Sequence, residues 1–224
     1  MPDGSLLPRE KGTPQGSPIS PLLTNLFMHY AFDRWMDREF PGCPFERYAD
    51  AIVAHCNTER QAQRLRAAIA ERLGTLGLEL HPDKTKVVYC KDAKRILNSE
   101  HTSFDFLGYT FRARRAHGRW GLFMSFLPAM SNKAKKAKGK QIRAWHLKRR
   151  SGTDLSGLAE DINPQVRAWI NYYGAFYRSE LTFLAERIDE HLVRWAIHKF
   201  KRLRNRPQKG ALLLHPWVDP PPPT

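Results

Sequence analysis

The spacing of the apolar residues changes near residue 131, and this change constrains the fold more than any other feature. Before it, short segments rich in aromatic and β-branched residues alternate with Gly and Pro, which indicates strands and turns. After it, Leu181, Leu184, Ile188, Leu192 and Trp195 recur at helical spacing. The sequence therefore predicts an α+β chain, in which an antiparallel sheet with helices precedes an all-helical part.

The strands of the first part are predicted by three segments. Residues 45–55 have the composition of two short strands joined at a turn, and residues 78–90 and 104–114 are also strand-like. A helix between the first pair and the later segments is predicted by Thr58 and Gln61, which form a capping-box pair. The predicted order is β-α-β-β, in one antiparallel sheet with helices on one face.

Helix starts are predicted elsewhere by local signals. Ser20 and Pro21 match an N-cap and a first-turn proline, and Asn163 with Pro164 gives the same signal in the second half. A basic helix is predicted from about residue 131 to Leu147. The second half is therefore predicted to be a helical bundle.

Four segments are predicted along the chain. Residues 1–115 form the first domain and residues 116–130 a linker, within a loop expected from Arg112 to Met130. Residues 131–210 form the helical domain, and residues 211–224 are a proline-rich tail.

The positive charge points to a polyanionic partner. The chain has 37 Lys and Arg against 22 Asp and Glu, a formal charge of +15, and a pI near 10.0. Charge kept only for solubility would mix signs, whereas a phosphate-binding surface would not. Nine basic residues lie between Ser131 and Arg150 without an acid: Lys133, Lys135, Lys136, Lys138, Lys140, Arg143, Lys148, Arg149 and Arg150. This clustering favours nucleic acid.

Several classes of protein are disfavoured. Cys43, Cys56 and Cys90 are odd in number and too far apart for a Cys-x-x-Cys pair, so they indicate neither a zinc site nor a disulfide framework. No apolar run approaches the roughly 20 residues that a membrane-spanning helix needs. The nine histidines show no metal-binding spacing. A reducing, cytoplasmic location is expected.

Five ordered motifs resemble one family. They are GTPQGSPISPLL at 12–23, RYADA at 47–51, Gly77-Leu78 with Lys84-Thr85, FDFLG at 104–108 and WINYYGAF at 169–176. The chain resembles the second half of the palm and the maturase-specific thumb of group II intron reverse transcriptases. The resemblance implies a partial polymerase palm followed by a helical maturase domain.

The resemblance also implies roles for individual residues. Asp50 corresponds to a catalytic, Mg²⁺-binding aspartate of the YADD turn. Gln15 and Gly16 are expected near the template and the incoming nucleotide. Other expected nucleic-acid contacts of the palm are Pro14, Arg47, Lys84 and Gly108. For Arg47 and Lys84, solvated charges at strand ends are an equally good interpretation.

One position departs from the family. Ala51 stands where the second YADD aspartate is expected, and a lone carboxylate holds Mg²⁺ weakly because Mg²⁺ gives up its water reluctantly. Because the chain starts just before the first motif, we also expect the earlier aspartate and the fingers to be missing. We therefore expect no primer extension by this chain alone. Half of a split polymerase, completed by an N-terminal partner, and a pseudogene product remain alternatives.

The maturase role needs no metal centre, so RNA binding is the second hypothesis. The expected contacts with intron RNA are Lys133, Lys135, Lys136, Lys140, Arg143, Arg149, Tyr172, Tyr173, Lys201 and Arg204. For Tyr172 and Tyr173, packing in the helical core is favoured about two to one over base stacking. An RNA–DNA primer-template is a further expected partner.

Overall fold

A computed structural model describes residues 18–119 and 121–203, without the side chain of Arg202. The chain divides between Val87 and Val88 into two compact units. Mixed helix and antiparallel sheet in these units confirm the α+β class, with a partial palm followed by a helical domain.

The first unit begins with a helical segment in which a π-helical turn separates two α-helices. Helix α1 (Ser20–Met28) continues through a π-helical turn (His29–Asp33) into α2 (Arg34–Glu39). The predicted N-cap is wrong by one residue, because Ile19 occupies that position and makes no side-chain cap. Pro21 lies in the first turn, where its missing N–H costs no helical hydrogen bond.

A β-hairpin and a long helix complete the first unit. Strands β1 (Phe45–Tyr48) and β2 (Ala51–Ala54) pair antiparallel, as predicted. Helix α3 (Glu59–Gly74) is capped by the Thr58 hydroxyl, which accepts a hydrogen bond from the Gln61 amide at 3.2 Å, and this confirms the predicted cap. The core between these elements consists of Met28, Phe32, Met36, Cys43 and Leu65.

The predicted single sheet is wrong. Residues 78–90 form turns and irregular chain instead of a strand, and the strands of the described residues belong to two separate sheets. The segment contains Pro82, which has no N–H to give to a ladder, beside the charged residues Asp83, Lys84 and Lys86. Its apolar alternation is therefore too short to specify pairing.

The second unit contains a three-stranded sheet where a linker was predicted. Strands β3 (Ser103–Phe106), β4 (Tyr109–Gly118) and β5 (Gly121–Met130) follow one another as antiparallel neighbours. The loop expected from Arg112 to Met130 is therefore wrong, because β4 and β5 run through it and through residues 116–130 of the predicted linker. Arg114 of β4 is only 7% exposed, and its guanidinium has an acidic partner, Glu180.

Helices follow the sheet in the same unit. They are α4 (Asn132–Ala144), α5 (Leu155–Tyr173) and α6 (Thr182–Lys199), with short 3₁₀ segments at Leu147–Arg149, Arg178–Leu181 and Lys201–Leu203.

The predicted start of the second helix is wrong. Helix α5 begins after Asp154, whose carboxylate accepts a hydrogen bond from the Gly157 amide at 2.8 Å, and Pro164 lies inside the helix. The core of the second unit includes Ile142, Leu158 and the stacked indole rings of Trp145 and Trp169, whose centres are 5.7 Å apart. None of the helices among the described residues is long and apolar enough to cross a membrane.

Candidate nucleic-acid interface

Asp50 lies at the tip of the β1–β2 hairpin. The pairing of Tyr48 with Ala51 leaves Ala49 and Asp50 as a two-residue loop. Ala49 has a φ of 55°, and a positive φ at the first loop position is the geometry of a type II′ hairpin turn. The turn leaves Asp50 exposed to solvent.

The residues around Asp50 do not fit the Mg²⁺ site that the resemblance implies. Two Mg²⁺ ions about 4 Å apart need several converging carboxylates. Within residues 18–119 and 121–203, no three His, Cys, Asp or Glu side chains converge where a metal ion could bind. The neighbouring position, Ala51, offers only a methyl group. Asp50 is therefore a single carboxylate on an exposed turn.

The Arg47 side chain is held by contacts within the protein. Its guanidinium forms a bidentate ion pair with Asp33, with distances of 2.7 Å from Nε and 2.6 Å from Nη2. Nη1 donates to the Asn25 side chain at 3.1 Å and to the Ala49 carbonyl at 3.0 Å. The side chain is only 11% exposed. Arg47 therefore forms a brace between the hairpin and the π-helical turn, and its phosphate contact stays a prediction.

The ion pair also shifts the pKa values of both partners. The hydrogen bond from Arg47 holds the pKa of Asp33 below its ordinary value, against the opposing effect of burial. His29 adds to this effect from 3.6 Å. Asp33, the partner of Arg47, is the last residue of the π-helical turn, which contains one residue more than an α-helical turn.

Five further expected contacts are either exposed or outside the described residues. Lys84 is exposed in a turn, which a hydrogen bond from the Thr85 amide to the His81 carbonyl closes at 3.0 Å. Pro14, Gln15, Gly16 and Arg204 lie outside the described residues.

Gly108 forms the turn of the β3–β4 hairpin with Leu107. Both loop residues have positive φ, 49° and 81°, as a type I′ turn requires. A Cβ on Gly108 would lie 3.2 Å from the Tyr173 hydroxyl, and the Tyr172 hydroxyl donates to the Leu107 carbonyl at 2.7 Å. The end of α5 therefore holds this turn.

Tyr172 and Tyr173 belong to an aromatic cluster with Tyr109 and Phe176. The Tyr109 ring lies 5.2 to 5.6 Å from the other three, and its hydroxyl donates to the Tyr172 carbonyl. Burial raises the pKa of Tyr109 and of Tyr173. Tyr172 and Phe176 remain 47% and 64% exposed. The cluster thus packs the sheet against α5 and leaves two rings open to solvent, while base stacking stays a prediction.

Helix α4 separates its basic residues onto two faces. The exposed ones follow each other at spacings of three, four and three residues, which places them on one side of the helix. They are Lys133, Lys136, Lys140 and Arg143. The opposite side is buried through Ala134, Gly139 and Ile142. We call these four residues the α4 stripe.

Lys135, another expected RNA contact, lies on the inner side of α4 and is paired within the protein. Its ammonium group lies 2.5 Å from Glu180, which also binds Arg114 at 2.8 Å. Arg114 packs over the Tyr177 ring at 5.3 Å. The hydrogen bond from Lys135 is the main reason that the pKa of Glu180 is lowered. This cluster links β4, α4 and the segment before α6.

Neither Glu180 nor Arg114 was expected from the sequence. An arginine in a run of basic residues and a glutamate between helices carry no local sign of their pairing. Lys138 is likewise occupied, because its ammonium group lies 5.0 Å from the centre of the Trp169 ring. Arg150, from the same basic run, pairs with Asp161.

The remaining expected RNA contacts are exposed. Arg149 lies in the 3₁₀ segment after α4, and Lys201 lies after α6.

Arg143, at the end of the α4 stripe, contributes to the shifted pKa of His191 in α6. Burial, with Arg194, Arg187 and Arg143, lowers the pKa of His191. The His191 imidazole is therefore biased toward its neutral form.

Two family models match the chain. Residues 3–111 match the model described as reverse transcriptase (RNA-dependent DNA polymerase), and residues 135–211 match the group II intron, maturase-specific domain. No curated protein matches the chain. A reverse transcriptase region followed by a maturase-specific domain places this chain in the group II intron reverse transcriptase/maturase family.

Proposed function

We propose that the chain binds structured intron RNA, with the α4 stripe as its main phosphate-binding surface. The observation that carries this proposal is the division of the basic run on α4. Lys135 and Lys138 are turned inward to Glu180 and Trp169, whereas the four stripe residues face solvent. Four cations spaced along 13 residues of helix suit a row of phosphates.

The expected strength of this surface follows from counterion release. Each phosphate that is neutralised contributes about 0.7 to 0.9 to the slope of log K against log salt. The four stripe residues therefore account for a slope of about three. Phosphate contacts position a protein without reading sequence, so preference for the intron depends on shape and on exposed aromatic rings such as Tyr172 and Phe176.

The test is fluorescence anisotropy with a structured group II intron RNA across a salt series. Changing all four stripe residues to Gln should lower the slope by about three and weaken binding roughly 100-fold at physiological salt. A control variant removes the same charge from exposed sites on α2 and α3, and it should bind nearly as the unchanged chain does. Its residues are Arg34, Arg60, Arg64 and Arg66.

Two outcomes would count against the proposal. Equal losses in both variants would mean that total charge, not the α4 stripe, governs binding. Equal affinity for an unrelated structured RNA of the same length at physiological salt would mean that the surface is only polybasic. In that case, membership of the family would not be evidence that this chain acts as a maturase.

The same proposal includes loss of polymerisation by this chain alone. Reverse transcriptases of this family generally use Mg²⁺, and here Ala51 leaves Asp50 as a single carboxylate on its turn. Primer extension with labelled dNTP should therefore show no Mg²⁺-dependent product. Incorporation that disappears in Asp50→Asn would refute this part of the proposal.

An active half of a split polymerase is the alternative. It requires an N-terminal partner chain that supplies a further carboxylate, and a primer-template as substrate. Because Ala51 would remain in the joined enzyme, its activity should rise strongly when Ala51→Asp is introduced. Full activity of a joined enzyme that keeps Ala51 would favour this alternative over the RNA-binding proposal.

A further inference from the structure

The open end of the β1–β2 hairpin brings two cysteines opposite each other. The ladder pairs Phe45 with Ala54, and a hydrogen bond of 2.8 Å from the His55 amide to the Pro44 carbonyl extends it by one pair. The next opposing positions are Cys43 and Cys56. Thirteen positions separate them along the chain, but the hairpin makes them neighbours.

The type of pair is important for their chemistry. Hydrogen-bonded and non-hydrogen-bonded pairs alternate along an antiparallel ladder. Because His55 and Pro44 form a hydrogen-bonded pair, Cys43 and Cys56 occupy a non-hydrogen-bonded position. Cα atoms at such a position lie about 4.5 Å apart, which is inside the range of about 4.4 to 6.8 Å that disulfides span.

The side chains meet in the same core. Cys43 is only 4% exposed and belongs to the buried cluster of the first unit, and Cys56 packs against that cluster. The side-chain amide of Gln61 donates a hydrogen bond to the Cys43 sulfur at 3.1 Å and so orients this sulfur. Burial, with the charge and hydrogen bonding of Cys43, raises the pKa of Cys56 to about 11. The two thiols therefore interact directly.

We propose that Cys43 and Cys56 are a redox-active pair that closes to an intramolecular disulfide when glutathione disulfide is the oxidant. The Cys56 thiolate, which is partly exposed, attacks glutathione disulfide and releases one glutathione thiolate. The Cys43 thiolate then attacks the mixed disulfide at the Cys56 sulfur and releases the second glutathione. Two protein thiols lose two electrons, and their protons end on two glutathione thiols.

Closure would clip the base of the hairpin whose tip carries Asp50. The covalent loop from Cys43 to Cys56 includes both strands and the turn, so the bond holds β1 against β2 independently of the ladder. The reaction should be slow at neutral pH because only a small fraction of either thiol is ionised. Below the pKa of Cys56, the ionised fraction and the rate should rise about tenfold for each pH unit.

The experiment uses the complete chain, first reduced and then incubated with glutathione disulfide between pH 7 and pH 9. Free thiols are blocked with N-ethylmaleimide, and products are identified by mass spectrometry and peptide mapping. The expected product is a monomer that carries one N-ethylmaleimide group, on Cys90, where the reduced chain carries three, and that gives one peptide joining Cys43 to Cys56. Thermal unfolding of the oxidised chain should shift to higher temperature and return after reduction.

A matched set of variants separates this pair from the third cysteine. Cys90→Ser should oxidise like the unchanged chain, because Cys90 lies in the other unit. Cys56→Ser should give no internal disulfide. Glutathione adducts or intermolecular disulfides as the only products of the unchanged chain at pH 9 would overturn the proposal. This result does not depend on any variant folding, and RNA binding by the α4 stripe would be unaffected by it.

Discussion

Replacing Gly108 by alanine tests whether the end of α5 holds the β3–β4 turn. At a φ of 81° an L-residue costs about 1 to 2 kcal/mol more than glycine. The new Cβ would also lie 3.2 Å from the Tyr173 hydroxyl and 3.4 Å from Cε1 of its ring. Tyr173 packs edge-on against Tyr172, with ring centres 4.8 Å apart, so it yields only by disturbing that contact.

The expected loss of unfolding free energy is therefore about 2 to 3 kcal/mol, of which about 1 kcal/mol comes from the Tyr173 contact. Urea unfolding followed by tryptophan fluorescence measures it, because Trp145, Trp169 and Trp195 lie in the same unit as Gly108. The midpoint should fall while the slope with denaturant stays unchanged.

The control is Gly121→Ala. Gly121 has a φ of 106° in the same unit, but a Cβ there would meet nothing within 4 Å. It therefore reports the backbone cost without the steric contact. Adding Tyr173→Phe, which removes the hydroxyl, should recover part of the loss in Gly108→Ala. The reasoning is refuted if Gly108→Ala costs no more than Gly121→Ala and Tyr173→Phe recovers nothing.

Two ion pairs give further predictions. Glu180→Gln removes the negative charge that pairs with the nearly buried Arg114 and with Lys135, and it should cost about 2 kcal/mol at pH 7 in urea unfolding. Because folding lowers the pKa of Glu180, its ion pairs stabilise the fold above a pH of about 4.5, and this stabilisation is lost as the pH falls further. The difference in unfolding free energy between Glu180→Gln and the unchanged chain should therefore shrink in acid. A difference that stays constant with pH would contradict this. Arg47→Lys loses the bidentate pair with Asp33 and should destabilise the first unit by about 1 to 2 kcal/mol, whereas the exposed Arg34→Lys should have little effect. Equal stabilities of these two variants would refute the brace.

The family and the local elements could be predicted from the sequence. The β1–β2 hairpin and the cap of α3 rest on local signals, namely aromatic and β-branched residues around a turn and the Thr58–Gln61 pair, and both were confirmed. The order of the motifs led to the family that the two matches support. Such signals depend on residues that are close together in the sequence, so they can be recognised without knowledge of the tertiary fold.

The boundaries failed where local signals conflicted with distant partners. A loop was expected from Arg112 to Met130, but β4 and β5 pair along this stretch, and Arg114 is buried with Glu180, which lies 66 positions away. Pro164 indicated a helix start, but an earlier cap at Asp154 and the packing of α5 override it. Both errors come from interactions that sequence spacing does not reveal.

Charge and cysteine content were determined by the sequence, but their use was decided by the tertiary structure. Nine basic residues in one run predicted an anionic partner, whereas only the position of the core decides which side of α4 faces solvent. Arg47 became a brace because Asp33 lies across from it. Cys43 and Cys56 looked unrelated until the hairpin paired them. The physical reason is the same throughout: composition sets which interactions are available, and only folding sets the distances over which they act.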